Sequence, residues 1–277
     1  LQAVEGLPAM PGMAQELLEL KADPDLDADE LVRVIQIDPS LSAQILQHAA
    51  SAFYAYRGEL RSVKDAVTRV IGCEAALDIA LGVAIGKTMH CPAGGPFGLR
   101  AFWRDAVYTA VAAKSIAISM PWQIRPDLGT TYLAGLLHDL GFLLIGHLFP
   151  DEYRIFNRLV MAYPGVDLAR LERLVLGVRH ADVGAALLRS WDLPEELVAA
   201  VQHHEDPGFG GRHAVYGHVV AIAQAILHQP ERPVAETELS ERLLARYQLD
   251  TQALSAALGA VSAETRELDR LARQLSG

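Results

Sequence analysis

An apolar stretch at residues 134–147 constrains the fold more than any other part of the chain. Nearly all of its residues are apolar or glycine, which predicts a helix buried in a protein core, yet His138 and Asp139 stand side by side in its middle. A buried imidazole and carboxylate are costly unless they are hydrogen-bonded or bind a metal ion. We therefore expect other parts of the chain to supply either hydrogen-bonding partners or further metal ligands for this pair.

The spacing of apolar residues predicts an all-α protein. Apolar side chains recur at helical spacing along almost the whole chain, and no alternating run of β-branched residues competes with this pattern. Helix starts are also marked, by Pro11, by Asp27 three residues before Glu30, and by Asp38 before Pro39. No repeat of 30–50 residues is present, which disfavours a solenoid.

Two segments rich in proline or glycine divide the predicted helices. Residues 90–98 contain two prolines and three glycines, which cannot continue a helix, and residues 229–233 contain two more prolines. We therefore expect an N-terminal helical subdomain at residues 1–92, a second helical subdomain at 99–230 and a C-terminal helical extension at 234–277. The extension has an apolar face that either packs on the main body or forms a homodimer, and this face consists of Leu254, Leu258, Val261, Leu268 and Leu271.

Composition narrows the classes of partner. Of the 277 residues 51% are hydrophobic and 21% are charged, as in a globular protein, and the formal net charge of −10 makes nucleic acid an unlikely partner. Two cysteines fit a reducing cytoplasm. No apolar run has the length of a membrane span and no signal peptide is recognisable, so we expect a cytoplasmic protein without a membrane partner.

The histidines offer candidates for the partners that His138 and Asp139 need. His180 begins a predicted helix, and His203 and His204 end another. Neighbouring helix residues point about 100° apart, so such a pair can address two ions, or one ion and a bound anion. A single histidine is more often a surface or hydrogen-bonded core residue, which leaves six unassigned: His48, His90, His147, His213, His218 and His228.

Several short motifs, in a fixed order, resemble one known family. They are LPAMP at residues 7–11, IDPSL at 37–41, FWR at 102–104, LLHDLG at 136–141, Glu172, HADVGA at 180–185, WDLP at 191–194 and the histidines 203–204. Over residues 5–230 the chain is similar to the HDOD domain, the HD-related output domain of bacterial signalling proteins. Ala50 stands where that family commonly has Asn.

The resemblance implies an HD-like C-terminal subdomain, related to metal-dependent phosphohydrolases that include the HD-GYP phosphodiesterases of cyclic di-GMP. The metal ligands of that superfamily fall at His138, Asp139, His180, His203 and His204. Its first and last ligands, a His and an Asp, are replaced by Asp105 and Gln224, and the Gly-Tyr-Pro loop after His204 is missing.

These departures imply a weakened site. Hydrolysis by such enzymes needs a complete, correctly charged ligand set that lowers the pKa of a bridging water. We therefore expect no catalytic residues, no organic cofactor and at most a weak or vestigial divalent-metal site, whose histidines otherwise form a buried polar network.

Two classes of function remain at this point. The first is a non-catalytic output or scaffold module that acts through protein partners in a signalling pathway, downstream of a receiver or another sensory domain. The alternative is a metal-dependent phosphohydrolase, or a binding domain, for a nucleotide or cyclic dinucleotide. An aromatic and basic segment is a candidate partner surface, formed by Phe53, Tyr54, Tyr56, Arg57 and Arg61.

Overall fold

The computed structural model describes residues 7–50, 54, 56, 58, 60–87, 89–228 and 238–276, and these residues form helices without a strand. The all-α prediction is confirmed. The N-terminal part contains five α-helices: α1 (Gly12–Ala22), α2 (Ala28–Ile37), α3 (Pro39–Ala49), α4 (Val63–Ala66), which continues into a π-helical turn (Val67–Ile71), and α5 (Cys73–Gly86).

Side-chain caps fix where these first helices begin. Asp27 accepts a hydrogen bond of 2.9 Å from the backbone N–H of Asp29, and Asp38 accepts bonds of 2.8 and 3.1 Å from the first turn of α3. Such oxygens satisfy N–H groups that have no partner within the helix. The helix starts expected at Asp27 and Asp38 are therefore confirmed.

The remaining helices follow the Pro/Gly-rich segment. They are α6 (Leu99–Ser119), α7 (Leu128–Leu137), α8 (Leu140–Leu148), α9 (Pro150–Ala162), α10 (Leu168–Val175), α11 (His180–Ser190), α12 (Glu195–His203), α13 (Ala214–His228), α14 (Glu238–Arg246) and α15 (Thr251–Leu275).

The apolar stretch that we expected to form one helix is divided between α7 and α8. The division falls at His138 and Asp139, where Asp139 has φ −98° and ψ 13°. This break lets two adjacent polar side chains face one pocket, whereas neighbours in a continuous helix diverge by about 100°. Residues Leu128–Leu148 are also apolar enough to cross a membrane by length and composition alone, but 78% of that window is buried inside the protein.

One hydrophobic core connects the two predicted subdomains. It runs from Leu17 of α1 through Trp103 of α6 to Leu268 of α15, and α6 packs against α7, α13 and α15. The approach of α7 to α6 is close, since a Cβ at Gly135 would lie 2.6 Å from the Cα of Ala110. The predicted boundaries remain predictions, but a shared core opposes free rotation of the subdomains.

The Pro/Gly-rich segment at residues 90–98, where we expect a subdomain boundary, is part of the packed structure. Phe97 stacks on Phe142 with ring centroids 4.4 Å apart, and its N–H donates to Oδ1 of Asn157 at 2.9 Å. Within the C-terminal extension, α15 lies along α6, where Asp269 pairs with Arg104 at 3.0 Å. Four residues of its expected apolar face are buried, and the fifth, Leu258, is partly buried against the core, so the packing alternative holds for them; the four are Leu254, Val261, Leu268 and Leu271.

Of the proposed aromatic surface, Phe53 and Arg57 lie outside the described residues. Tyr54 is partly buried against the core, with its ring 5.5 Å from that of His48 in an edge-to-face arrangement. Its role is therefore at least partly in packing.

Candidate metal centre

Four helix ends meet around His138 and Asp139. His138 follows the last residue of α7, Asp139 precedes α8, His180 is the first residue of α11, and His204 follows α12. The three histidines are each at least 98% buried. The sequence thus brings an imidazole cluster into the core at points where helices begin and end.

In all three histidines the Nδ1–H group donates a hydrogen bond to an oxygen atom. His138 donates from Nδ1 to the carbonyl of Gly135 at 2.8 Å, and His204 donates to that of Val201 at 2.9 Å. His180 donates to the Glu172 carboxylate at 2.5 Å. Because these acceptors carry no proton, Nδ1 must carry it, and Nε2 is the atom presented to the centre of the cluster. Metal-binding histidines show the same pattern.

The Nε2 atoms converge on Asp139. Its Oδ1 lies 3.1 Å from His180 Nε2 and 3.4 Å from His204 Nε2, and these two nitrogens are 3.3 Å apart. Ligand atoms about 2.1 Å from one ion lie roughly 3.0–3.4 Å from each other in octahedral or tetrahedral geometry. Asp139, His180 and His204 therefore fit a single divalent ion.

A second group shares Asp139 but is less suited to a metal. Oδ2 of Asp139 lies 3.4 Å from His138 Nε2, and Oδ2 of Asp105 lies 3.2 Å from the same nitrogen. The side-chain amide of Gln224 contacts that nitrogen at 2.8 Å, and His228 Nε2 pairs with Asp105 Oδ1 at 2.7 Å. The neutral amide of Gln224 thus stands beside this group, and one of its two carboxylates, Asp105, already pairs with two imidazoles.

Without a metal, protons balance the carboxylates. Burial opposes the charged form of His138, but the charges of Asp139 and Asp105 raise its pKa well above the usual value. Burial likewise opposes charge on His180, and the hydrogen bonds to Asp139 and Glu172 raise its pKa to about 10. Burial keeps the pKa of His204 lowered, so a neutral His204 accepts the proton that a charged His180 offers.

Glu172 and His228 are the residues whose part in this site was not predicted. Glu172 is fully buried, and its Oε1 accepts from both the backbone N–H and the Nδ1–H of His180. The sequence marks Glu172 only as one of the matched motif residues, because no sequence pattern shows that α10 packs under the start of α11. His228 follows Gln224 by one helical turn on α13, and this i, i+4 spacing was the available signal.

His203 does not join the cluster, so the expectation that all five matched residues converge is wrong at this position. Its ring stacks on Phe209 with centroids 3.6 Å apart, and it lines a separate surface cleft with Arg189. His203 and His204 point in different directions around the end of α12, and only His204 faces inward.

A cavity of about 820 Å³ opens onto the cluster. Asp139, His204 and Gln224 line its floor, and Leu258 and Val261 of α15 form part of its wall. The C-terminal extension therefore helps to shape the candidate site, which the sequence did not indicate.

Sequence comparison identifies relatives of this chain. The family model of the HDOD domain matches residues 7–207. The chain is 24% identical over 203 residues to an uncharacterised protein of Treponema pallidum, a match covering 73% of this chain and 38% of that protein. It is 25% identical over 231 residues to ribonuclease Y of Thermus thermophilus, covering 82% of this chain and 32% of that enzyme. The chain thus spans only about a third of the length of these curated relatives.

Solved structures share the fold. A candidate signal transduction protein from Marinobacter aquaeolei VT8 aligns with a TM-score of 0.83 and 30% identity over 98% of this chain and 60% of its own. An HDOD domain protein of unknown function from Geobacter sulfurreducens aligns with a TM-score of 0.74 and 22% identity over 99% and 95% of the two chains. A candidate phosphohydrolase from Shewanella amazonensis SB2B aligns with a TM-score of 0.77 and 23% identity, over 99% of this chain and 97% of its own.

Proposed function

Because the chain belongs to the HDOD domain family, we propose that it is a non-catalytic signalling module that acts through contacts with other proteins. The contact between the Gln224 amide and His138 carries this proposal. It places a neutral group beside the second ligand set, where hydrolysis would need a carboxylate to hold a second ion. We further propose a bacterial cytoplasmic setting, with the input coming from a receiver or another sensory domain.

In this proposal the cluster formed by His138, Asp139, His180 and His204, called the His/Asp cluster below, has a structural role. Asp139, His180 and His204 would hold one divalent ion, and the bound ion would act as a Lewis acid toward whatever ligand reached it. Glu172 orients His180, and the carbonyls of Gly135 and Val201 orient His138 and His204. With or without the ion, the cluster joins α7, α8, α11 and α12, so that a change at the site alters the packing of these helices.

An apolar groove supports the protein-contact part of the proposal. A groove of about 640 Å³ runs between α8, α9, α10 and α11, lined by Leu148, Phe149 and Val178. Two of these lining residues are exposed, Phe149 by 51% and Val178 by 40%. Exposed apolar surface of this kind marks protein interaction sites.

The second candidate function is a metal-dependent phosphohydrolase. It is favoured by the two adjacent ligand groups that share Asp139, and by the cavity that opens onto Asp139 and His204. Two ions bridged by a carboxylate are a common arrangement for phosphodiester hydrolysis. The two candidates differ in turnover rather than in fold.

Metal content and turnover separate these functions. Purified protein would be loaded with Mn²⁺ or Zn²⁺ and assayed against bis(p-nitrophenyl) phosphate, cyclic di-GMP and nucleotides, with His138→Ala as the control for genuine turnover. We expect no hydrolysis that depends on His138. Turnover that the His138→Ala change abolishes would establish the phosphohydrolase instead.

Protein binding needs its own test. A two-hybrid or pull-down screen would identify partners, whose binding to the Phe149→Ser variant would then be measured. The matched control is Tyr163→Ser, because Tyr163 is an aromatic residue at the other end of α9 that is 55% exposed but does not line the groove. We expect Phe149→Ser to weaken partner binding and Tyr163→Ser to leave it unchanged. Equal effects of the two changes would remove the groove from the proposal.

A further inference from the structure

A second cleft lies on another part of the molecule, where α1 and α5 meet the start of α7. Its volume is about 720 Å³. Five carboxylates and a single amine line it: Asp23, Asp25, Glu74, Asp78 and Asp127, with Lys21. None of these residues belongs to the His/Asp cluster, and no sequence motif groups them.

Asp78 distinguishes this cleft from an ordinary acidic surface. Its side chain is 2% exposed, and Oδ1 pairs with Lys21 Nζ. The other oxygen, Oδ2, is buried and has no hydrogen-bond partner. A buried carboxylate oxygen without a partner is costly, and most such groups in folded proteins are satisfied. Lys21 therefore satisfies only one of the two oxygens of this carboxylate.

The start of α7 is shaped around the unpaired oxygen. A Cβ on Gly129 would overlap Asp78 Oδ2, so only glycine leaves room for the carboxylate at this position. Asp127 caps α7 by accepting from the N–H of Thr130 at 2.7 Å, which holds a second carboxylate at the same end of the cleft. Burial, together with the charge of Asp127, raises the pKa of Asp78, although Lys21 opposes the shift.

We propose that this cleft binds an organic cation, a primary ammonium or guanidinium group that pairs with the Asp78 carboxylate. The excess of carboxylates over amines favours a cation. A divalent metal is less suitable because Lys21 already occupies one side. In addition, the groups of three closely spaced ligand atoms found among the described residues all include His138 or His180, and none of them includes a residue of this cleft. A planar guanidinium can engage the buried oxygen and a rim carboxylate together.

The cation has two possible sources, a basic side chain of a partner protein or a free polyamine. The 277-residue protein would be titrated with N-acetyl-arginine amide, with spermidine and with Mg²⁺, and binding would be followed by the backbone amide NMR signal of Gly129. We expect saturable shifts with at least one organic cation at concentrations of up to about 10 mM, where millimolar dissociation constants are measurable. A response to the arginine amide indicates a protein source, and a response to spermidine alone indicates a polyamine.

Variants test the site without disturbing the core. Asp25→Asn with Glu74→Gln removes two exposed carboxylates from the rim, and Glu16→Gln with Glu30→Gln removes two exposed carboxylates outside the cleft. Glu74 and Glu30 both lie in the first turn of a helix, so helix-dipole effects are matched. We expect the first pair to weaken binding about threefold to tenfold and the control pair to leave it unchanged.

Asp78→Asn should abolish binding, and its melting curve would show whether the protein is still folded. Three results would overturn the proposal. One is the absence of any shift with either organic cation, the second is an equal effect of the two variant pairs, and the third is tighter binding of Mg²⁺ than of both organic cations.

Discussion

The Nε2 atoms of His180 and His204 lie 3.3 Å apart, and both face Oδ1 of Asp139. Two imidazole nitrogens this close in a buried site must share either a proton or a cation, because their lone pairs otherwise repel each other. The cluster therefore has two compatible forms, one filled with protons and one filled with a metal ion, and the two forms compete.

This competition predicts that the protein binds metal ions more tightly as the pH rises. His180, with a pKa of about 10, must lose a proton to become a ligand, so Zn²⁺ affinity should rise up to about tenfold per pH unit for each proton released. Calorimetry in two buffers with different ionisation enthalpies would give the number of protons released on metal binding. Metal affinity that does not change with pH would exclude this competition.

Removal of a ligand should affect Zn²⁺ binding selectively. His204→Ala should weaken Zn²⁺ binding at least about 100-fold, which is more than the loss of an outer-shell partner does, whereas His203→Ala should have no effect.

The proton-filled form also predicts how stability depends on pH when EDTA removes metal. The native state keeps a proton on His180 up to a pKa of about 10, whereas the unfolded chain releases it near 6.5. The contribution of this proton to the free energy of unfolding is therefore complete below the pKa of His180 in the unfolded chain. It is lost as the pH rises toward the pKa of His180 in the native state. The free energy of unfolding should fall as the pH rises from about 6.5 to about 10, by up to about 1.4 kcal/mol per pH unit for each such histidine.

Denaturant unfolding at a series of pH values would measure this slope. Buried neutral histidines such as His48, whose pKa is lowered by burial to about 4, affect stability mainly below pH 6.5 and leave this window clear. Glu172→Gln should flatten the slope, because it removes a carboxylate that holds the His180 proton. A slope that Glu172→Gln does not change would mean that other groups produce it.

The fold was predictable because local signals agree with one another. Helical periodicity, the caps at Asp27 and Asp38 and the absence of strand patterns all point to an all-α protein. The cost of burying His138 and Asp139 correctly indicated that partners converge on them, and His180 and His204 are among those partners. The helix break between α7 and α8 was missed because the apolar pattern continues across it.

Other features depend on tertiary contacts that the sequence does not reveal. The choice between His203 and His204 is made by the rotation of α12 about its own axis, which packing against α11 and α13 determines. Similarly, α15 forms a wall of the cavity only because it docks on α6. Its amphipathic pattern predicted a buried face but not the helix that would cover it.

Gln224→Asp should strengthen the second metal group. The change gives His138, Asp105 and Asp139 an additional anionic ligand beside them, and hard divalent ions such as Mn²⁺ bind more tightly as carboxylates are added. We expect the number of bound Mn²⁺ ions to rise from one toward two, with at least about a tenfold gain in affinity at the second position. Gln202→Asp, on the outer side of α12, is the control and should leave the stoichiometry unchanged. If the stoichiometry of Gln224→Asp also stays at one, the amide is not what weakens the site.

Gly141→Ala should destabilise the protein and disturb the cluster together. A Cβ at Gly141 would overlap the carbonyl oxygen of His180 and approach the backbone of Gly184, so α8 and α11 would have to separate. Backbone atoms cannot move aside as a flexible side chain can, and overpacking of this kind costs about 1–3 kcal/mol. The matched control is Gly12→Ala in the first turn of α1, where a Cβ meets nothing within 4 Å. We expect the control to be neutral or slightly stabilising, while Gly141→Ala lowers both the melting temperature and the affinity for Zn²⁺. A Gly141→Ala protein that binds Zn²⁺ as tightly as the parent would show that His180 keeps its position without this close approach of α8 to α11.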